Sequence, residues 1–158
     1  MLALLFLMFI LYLITGSIEA AMALFVGGAL IYAEINILND SSRRANIRGL
    51  NCFDLQSVNE FNSFRESCNR FAGVYVLINK TSGLHYVGQS VDVFSRVNSH
   101  FSGRGNGDVY ADYKYGCPFE VILIPLQRPY ESLNELEREM IRYYGADKEY
   151  NKTKGNRG

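Results

Sequence analysis

Basic residues are absent from the start of this chain. Residues 1–40 contain no lysine or arginine, and their only acids are Glu19, Glu34 and Asp40. Residues 41–158 therefore hold all 16 basic side chains and 13 acidic ones, a formal charge of +3 behind an overall balance of zero. Such a mildly basic segment permits binding to a polyanion but does not require it.

Cysteine is also scarce. Cys52, Cys68 and Cys117 are odd in number, lie far apart and form no C-x-x-C pair. This spacing argues against a disulfide framework and against a zinc site, and it fits reduced thiols in a cytosolic setting. The chain has no internal repeat and no low-complexity tract, and its 158 residues are enough for one modest domain.

Long uncharged runs fill the segment that lacks basic residues. Residues 1–18 carry no charge, Glu19 follows, and residues 20–33 are again uncharged. Crossing a bilayer takes about 20 mostly apolar residues. The first run meets this marginally, and the second meets it only if Glu34 sits near a membrane face. We therefore expect a retained membrane anchor over residues 1–38.

Two arrangements of this anchor remain open, and a secretory signal peptide is a third reading. In the first, residues 16–19 form a tight turn between two membrane helices, and Gly27 and Gly28 let the helices approach closely. In the second, a single span is followed by an interfacial segment. A signal peptide would want a positively charged start, which is missing here.

Arginines set the expected orientation of the anchor. Arg43, Arg44 and Arg48 follow the last apolar residues within a few positions. The positive-inside rule places these arginines, and everything after them, in the cytoplasm. The reduced cysteines agree with that compartment.

The rest of the chain predicts a small α/β domain. Residues 39–70 combine a polar juxtamembrane linker with a short amphipathic helix over residues 53–68. Residues 71–158 then predict three strands packed with helices as a sandwich. The predicted strands cover residues 74–78, 84–87 and 119–126, and the predicted helices cover residues 92–101, 108–116 and 132–144.

Residues suited to phosphodiester cleavage are spread along this domain. The reaction needs a base to deprotonate water, a cation to stabilise charge on the phosphate and, usually, a metal ion at the leaving oxygen. The candidates are Tyr75 and Tyr86 at facing points of one hairpin, Arg96 and His100 four residues apart on one helix face, Glu139 on the last helix, and Asn151 directly after it.

The pattern resembles the GIY-YIG nuclease family, which is named for two tripeptides on adjacent strands. Gly73-Val74-Tyr75 and Tyr86-Val87-Gly88 match them, with valine in place of isoleucine at both centres. Arg96 follows the second tyrosine by ten residues, and His100 lies four residues further on. The resemblance covers residues 71 to about 153, essentially all of the predicted domain.

The resemblance implies a three-stranded antiparallel sheet flanked by helices and a metal-dependent DNA endonuclease. Tyr75 would act as the general base, with Tyr86 assisting in the proton network. Arg96 would clamp the scissile phosphate, a task suited to its planar, bidentate donors. Gly73 and Gly88 would be structural, and Gly88 would allow close packing or a close approach of the phosphate.

The resemblance also assigns the remaining candidates. His100 would bind phosphate or shuttle a proton. Glu135, Glu137 and Glu139 share one charged helix, and the Glu-Arg-Glu triplet favours Glu139 as the single protein ligand of Mg²⁺ or Mn²⁺. Asn151, preceded by a tyrosine, would hydrogen-bond the phosphate or orient the metal-bound water.

These expectations combine into one leading hypothesis, a membrane-anchored DNA endonuclease that depends on Mg²⁺ and faces the cytoplasm. Its partners would be DNA and, through the first 38 residues, the lipid membrane. The alternative is a non-catalytic, membrane-tethered module that only binds DNA. A third reading is a membrane assembly factor whose globular part contacts proteins alone.

Overall fold

The computed structural model describes residues 2–151, and for residues 2–6 and 8 it describes the backbone only. Residues 152–158, the last part of the predicted nuclease domain, lie outside the described residues. The chain divides into two compact units, residues 1–48 and 49–158, and each is treated separately.

The first unit consists of two helices that pack on each other. α1 spans Leu2–Thr15 and α2 spans Ile18–Arg48. Gly16 joins them with a φ angle of 67°, and its amide donates to the carbonyl of Tyr12 at 2.8 Å. Ala21 is fully buried between the helices, where a larger side chain would separate them. The turn therefore lies within the predicted 16–19 segment.

One of these helices has the dimensions of a membrane span. α2 is 31 residues long, and its length and apolar composition suffice to cross a bilayer. Only 6% of the most apolar 18-residue stretch of α2 is buried inside the structure. The core helix of a water-soluble protein would be mostly buried. α1, with 14 residues, is shorter than the about 20 that a bilayer takes. α2 continues to Arg48 through most of the predicted linker.

The second unit alternates strands and helices. In chain order its elements are β1 Phe53–Leu55, α3 Val58–Ser67, β2 Gly73–Asn79, β3 His85–Ser90, α4 Val93–Phe101, α5 Gly107–Lys114, β4 Phe119–Pro125, α6 Leu133–Tyr144 and a short 3-10 helix Ala146–Lys148. The caps follow the sequence signals, because Asp92 accepts from the Ser95 amide at 3.1 Å and Gly145 ends α6 in the left-handed conformation.

The sheet has four strands, so the prediction of three was wrong. The additional strand, β1, pairs antiparallel with β4. The apolar residues of segment 53–68 recur at helical spacing and predict one helix over its whole length. Ser57 divides the segment instead, since its hydroxyl accepts from the Glu60 amide and caps α3. A strand of three residues is too short to show alternation, and only its pairing with β4 identifies it.

The sheet separates two helical layers. Its order is β1-β4-β2-β3, every pair is antiparallel, and β3 is an edge strand. Tyr75 and Leu77 of β2 join the core formed with α3, α4 and α5. The alternate residues, Val74 and Val76, point to the other face, which α6 covers. Side chains from both layers therefore meet around β3.

Candidate active site

Tyr75 crosses directly over a glycine of the neighbouring strand. The two residues are register partners in the β2–β3 pair, and Tyr75 is 1% exposed. A Cβ atom at Gly88 would lie 2.6 Å from Cζ of Tyr75 and would also collide with the tyrosine hydroxyl. Glycine at this position therefore makes room for the phenol, which is its structural role.

Tyr86 lies diagonally from Tyr75, so the expectation of facing tyrosines was wrong. Its register partner is Leu77, two positions along β2 from Tyr75. Both tyrosines still point to the same face of the sheet, and their ring centroids are 6.2 Å apart. The two phenols lie under α4, and we call Tyr75, Tyr86 and the α4 residues Arg96 and His100 the cluster.

His100 projects from α4 onto this pair of tyrosines. Its Nε2 atom is 2.8 Å from the Tyr75 hydroxyl, and its ring centroid is 4.7 Å from that of Tyr86. Its Nδ1 atom accepts a hydrogen bond from the Asn106 amide at 2.8 Å. The side chain is fully buried, so a direct contact with phosphate would require one of these bonds to break.

These two bonds fix the position of the imidazole proton. Burial lowers the pKa of His100 to about 4, and the charge of Arg96 acts in the same direction, so the ring is neutral at neutral pH. A nitrogen that accepts from an amide carries no proton, which leaves the proton on Nε2. His100 therefore donates to the hydroxyl oxygen of Tyr75.

Arg96 supplies the positive charge of the site. It lies one turn before His100 on α4 and is exposed to solvent. Burial raises the pKa of the Tyr75 hydroxyl, the neighbouring Tyr86 raises it further, and Arg96 lowers it. Burial also raises the pKa of Tyr86, and Arg96 again opposes the change. The guanidinium is therefore close to both phenols and open to an incoming anion.

Glu137 is the acidic side chain that faces the cluster. It is 8% exposed, and Gln89 of β3 donates to its Oε2 atom at 3.0 Å. Its negative charge also contributes to the raised pKa of Tyr86. A carboxylate from α6 thus approaches the tyrosines across the edge strand.

Glu139, the residue selected from the sequence, points elsewhere. Its Oε1 atom accepts from Arg142 on the same helix at 2.7 Å. Its charge contributes to the raised pKa of Tyr130, which lies outside the cluster of Tyr75 and His100. The helical pattern contains the signal that distinguishes the two acids, because Glu137 lies four residues from both Leu133 and Ile141 on the apolar face.

The carboxylate arrangement is compatible with a hydrated magnesium ion. Among residues 2–151, no group of three or more His, Cys, Asp or Glu side chains is placed to share a metal. Mg²⁺ commonly uses one or two carboxylates and fills its remaining positions with water and substrate phosphate. The single buried carboxylate of Glu137 fits that type of site.

Asn151 binds the backbone of the edge strand. Its Oδ1 atom accepts from the Val87 amide at 2.8 Å, and its Nδ2 atom donates to the Val87 carbonyl at 2.6 Å. The side chain therefore occupies the position that a further strand would take beside β3. Both ends of its amide are engaged with protein, which assigns Asn151 to positioning β3.

A buried polar network, which the sequence did not predict, supports the residues around Asn151. Asn79 donates to Asp112 and to the Tyr150 hydroxyl, both at 2.9 Å, and that hydroxyl also donates to Asp112. Asn106 donates to the Tyr150 carbonyl at 3.2 Å. Asn106, whose amide contacts His100, is therefore connected to Tyr150 and to the neighbouring Asn151.

A comparison with protein-family models identifies the region that contains this cluster. The model of the GIY-YIG catalytic domain matches residues 71–151, just over half of the chain. The match begins after α3 and includes Tyr75, Tyr86, Arg96, His100 and Glu137. No curated protein and no solved structure matches the chain.

Proposed function

This chain belongs to the GIY-YIG catalytic-domain family, and from that premise we propose that it is a metal-dependent DNA endonuclease, tethered to the membrane and facing the cytoplasm. This family consists of endonuclease domains. The observation that carries the proposal is the hydrogen bond between Tyr75 and His100 beside Arg96. This bond links Tyr75, the candidate base, to His100, which would activate it. Arg96 beside them is the candidate phosphate ligand.

Tyr75 is the proposed general base. A free phenol has a pKa of about 10, and burial raises the value here. Hydrogen bonds and positive charge that favour the phenolate must therefore oppose the cost of burial. The Nε2 proton of His100 and the charge of Arg96 both act in that direction. Tyr86 lies near enough to share the proton network.

Arg96 is the proposed ligand of the scissile phosphate. Its guanidinium is exposed, and its planar donors match two phosphate oxygens. Charge grows on those oxygens as water attacks, so a positioned arginine stabilises the transition state more than the bound substrate.

For the metal, the contacts favour Glu137 over Glu139. Glu137 is buried beside Gln89 and close to Tyr86, whereas Glu139 is paired with Arg142. A divalent ion bound there would neutralise charge on the leaving oxygen. Gln89 orients the carboxylate, and Asn151 positions β3 beneath it.

The tether is proposed from the first unit. α2 is long and apolar enough to span a bilayer, and the three arginines near its end suit the cytoplasmic side. A hairpin anchor would require α1 to cross the membrane as well, and its 14 residues are fewer than the about 20 that a bilayer takes.

The test is cleavage by the full chain purified in a neutral detergent. Linear, nicked and branched DNA would be incubated with Mg²⁺, with Mn²⁺ and with a chelator. We expect cleavage that requires the metal and falls at least about 100-fold in Tyr75→Phe, because proton-transfer catalysis contributes about 10²- to 10⁴-fold. Binding without cleavage under every metal would instead support the non-catalytic DNA-binding module.

The same assay separates the two glutamates. Glu137→Gln keeps the shape of the side chain and removes the charge, and we expect it to abolish metal-dependent cleavage. Glu139→Gln is the matched control on the same helix, and we expect activity within a few-fold of the parent. The reverse result would return the metal ligand to Glu139.

A further inference from the structure

A polar groove lies beside the active-site helix. It has a volume of about 360 Å³ and lies between the end of α3 and the start of α4. We call it the α3–α4 groove, and its polar lining consists of Arg65, Arg70, Asp92, Ser95 and Asn98. The α3 side of the groove precedes the family match at residues 71–151, so the family match does not account for it.

The charge of the groove is positive. Arg65 forms no ion pair with a carboxylate in the described part of the chain, and its guanidinium lies 6.0 Å from the centroid of the Phe61 ring. Arg70 is 82% exposed and pairs with Asp92 at 3.3 Å. Asp92 also accepts from the Ser95 amide as the cap of α4. Two cations therefore face one carboxylate that already has partners.

The groove and the active site share α4. Ser95 lines the groove, and Arg96, the proposed ligand of the scissile phosphate, is the next residue. Both are exposed to solvent. A nucleic-acid strand that passes over this face of α4 would reach the groove and Arg96 in succession.

We propose that the α3–α4 groove binds a backbone phosphate of DNA that flanks the scissile phosphate. The proposal rests on the proposed nuclease function and names a second contact for the same substrate. Arginine guanidinium groups, together with neutral hydroxyl and amide groups, commonly bind the phosphates of DNA. Such contacts do not read the base sequence. An anionic lipid surface is a poorer fit, because the groove is concave and its one large apolar side chain, Phe94, is buried.

The test compares DNA affinity across salt concentrations. Arg65→Gln/Arg70→Gln and, separately, Asn98→Asp would be made in the full chain, in the Tyr75→Phe background so that DNA stays intact. We expect the slope of log affinity against log salt to fall by about 1 for the lost phosphate. Asn98→Asp places a negative charge in the groove without removing an arginine, and it should weaken binding in the same direction.

Lys80→Gln is the matched control. Lys80 lies in the β2–β3 turn, at the end of the hairpin away from the Gly73–Ser90 pair and Asp92, and its substitution lowers the net charge by one, as Asn98→Asp does. We expect its salt slope and its melting temperature to equal those of the parent. The groove variants should also melt like the parent, so that a loss of affinity reports on the surface.

Cleavage by the active parent separates this proposal from the proposed function. If the parent cleaves and the groove variants raise KM about tenfold with little change in kcat, both stand. If the parent cleaves and the variants match it in KM and salt slope, the groove proposal is wrong and the nuclease stands. If the parent never cleaves but the variants lose DNA affinity, the proposed nuclease function is wrong, and the groove is a phosphate contact of a module that only binds DNA. If the groove variants bind DNA unchanged but lose a preference of the parent for phosphatidylglycerol over phosphatidylcholine vesicles, the proposal is overturned in favour of a lipid contact.

Discussion

At the scale of the residue, two glycines make room around the Tyr75–His100 pair. Gly88 lets the Tyr75 phenol cross β3, and Gly105 lets His100 approach the start of α5. A Cβ atom at Gly105 would lie 2.5 Å from Nδ1 of His100, in the region where the Asn106 amide makes its hydrogen bond. The absence of these side chains therefore brings the Tyr75 phenol, the His100 imidazole and the Asn106 amide together.

The tautomer of His100 is the property that this packing controls, and Asn106→Pro tests it. The φ angle of Asn106 is −74°, within the range of proline, so the substitution removes the amide proton at a compatible backbone angle. We expect the imidazole proton to redistribute toward Nδ1 and cleavage to fall at least about tenfold, because Tyr75 loses its donor. Long-range proton–nitrogen NMR identifies the protonated nitrogen, and the chain has only two histidines to assign.

Asn106→Ala is the control for that substitution. It keeps the amide proton and removes the side chain that caps α5 and donates to Tyr150, at a cost of about 1 kcal/mol in stability. We expect the parent tautomer in this variant. If Asn106→Pro also keeps the proton on Nε2, the backbone amide does not set the tautomer.

At the scale of the element, β3 combines an edge position with the second tyrosine. The edge strand would otherwise leave the Val87 amide and carbonyl to solvent, and Asn151 satisfies both. Glu149 adds a contact to the His85 amide at the same edge. The segment after α6 therefore completes the sheet with side chains where a strand is missing.

Asn151→Ala should loosen this edge without abolishing metal binding. Two hydrogen bonds of about 1 kcal/mol each are lost, so we expect the free energy of unfolding to fall by about 1–3 kcal/mol. Hydrogen exchange at the Val87 amide should accelerate more than exchange at Val76 in the centre of the sheet. A variant that loses cleavage while the Val87 amide stays protected would show that Asn151 acts on substrate instead.

β1 and α3 illustrate the limit of local patterns. The apolar spacing in residues 53–68 predicted one helix, and α3 occupies only Val58–Ser67. The first three residues pair with β4, a partner about seventy positions away in sequence. Propensity along a segment carries no information about such a partner, so the fourth strand appeared only in the folded domain.

At the scale of the whole molecule, an apolar helix precedes a catalytic domain in one chain. α2 has the length and composition of a membrane span, and the arginines at its end precede the second unit. The proposed tether would restrict cleavage to DNA that reaches the membrane surface. The mildly basic charge of residues 41–158 suits such a substrate.

Membrane attachment and orientation have a direct test in cells. We expect the full chain to resist alkaline carbonate extraction, because extraction would expose the apolar surface of α2 to water at a large cost in free energy. Cys52 and Cys117 should react with an impermeant maleimide only after the cytoplasmic side is opened. Recovery of the chain in the soluble fraction would contradict the tether, and labelling in intact cells would contradict the orientation.

The sequence by itself determined the family and most of the elements. The two aromatic-glycine tripeptides, Arg96 and His100 occur at fixed spacings, and spacing along a chain is preserved on folding. Caps at Asp92 and Gly145 were also local, because each depends on residues within one turn. These features were readable because the contacts that produce them are short in sequence.

Tertiary structure alone decided how the site is assembled. Glu137 and Glu139 have the same chemistry and differ only in the helix face that packs against β3. The direction of the Tyr75–His100 hydrogen bond depends on the Asn106 amide, which no motif contains. Long-range packing selects which nitrogen of His100 carries the proton and which strand edge Asn151 covers, because those contacts form only when the strands and helices share a core.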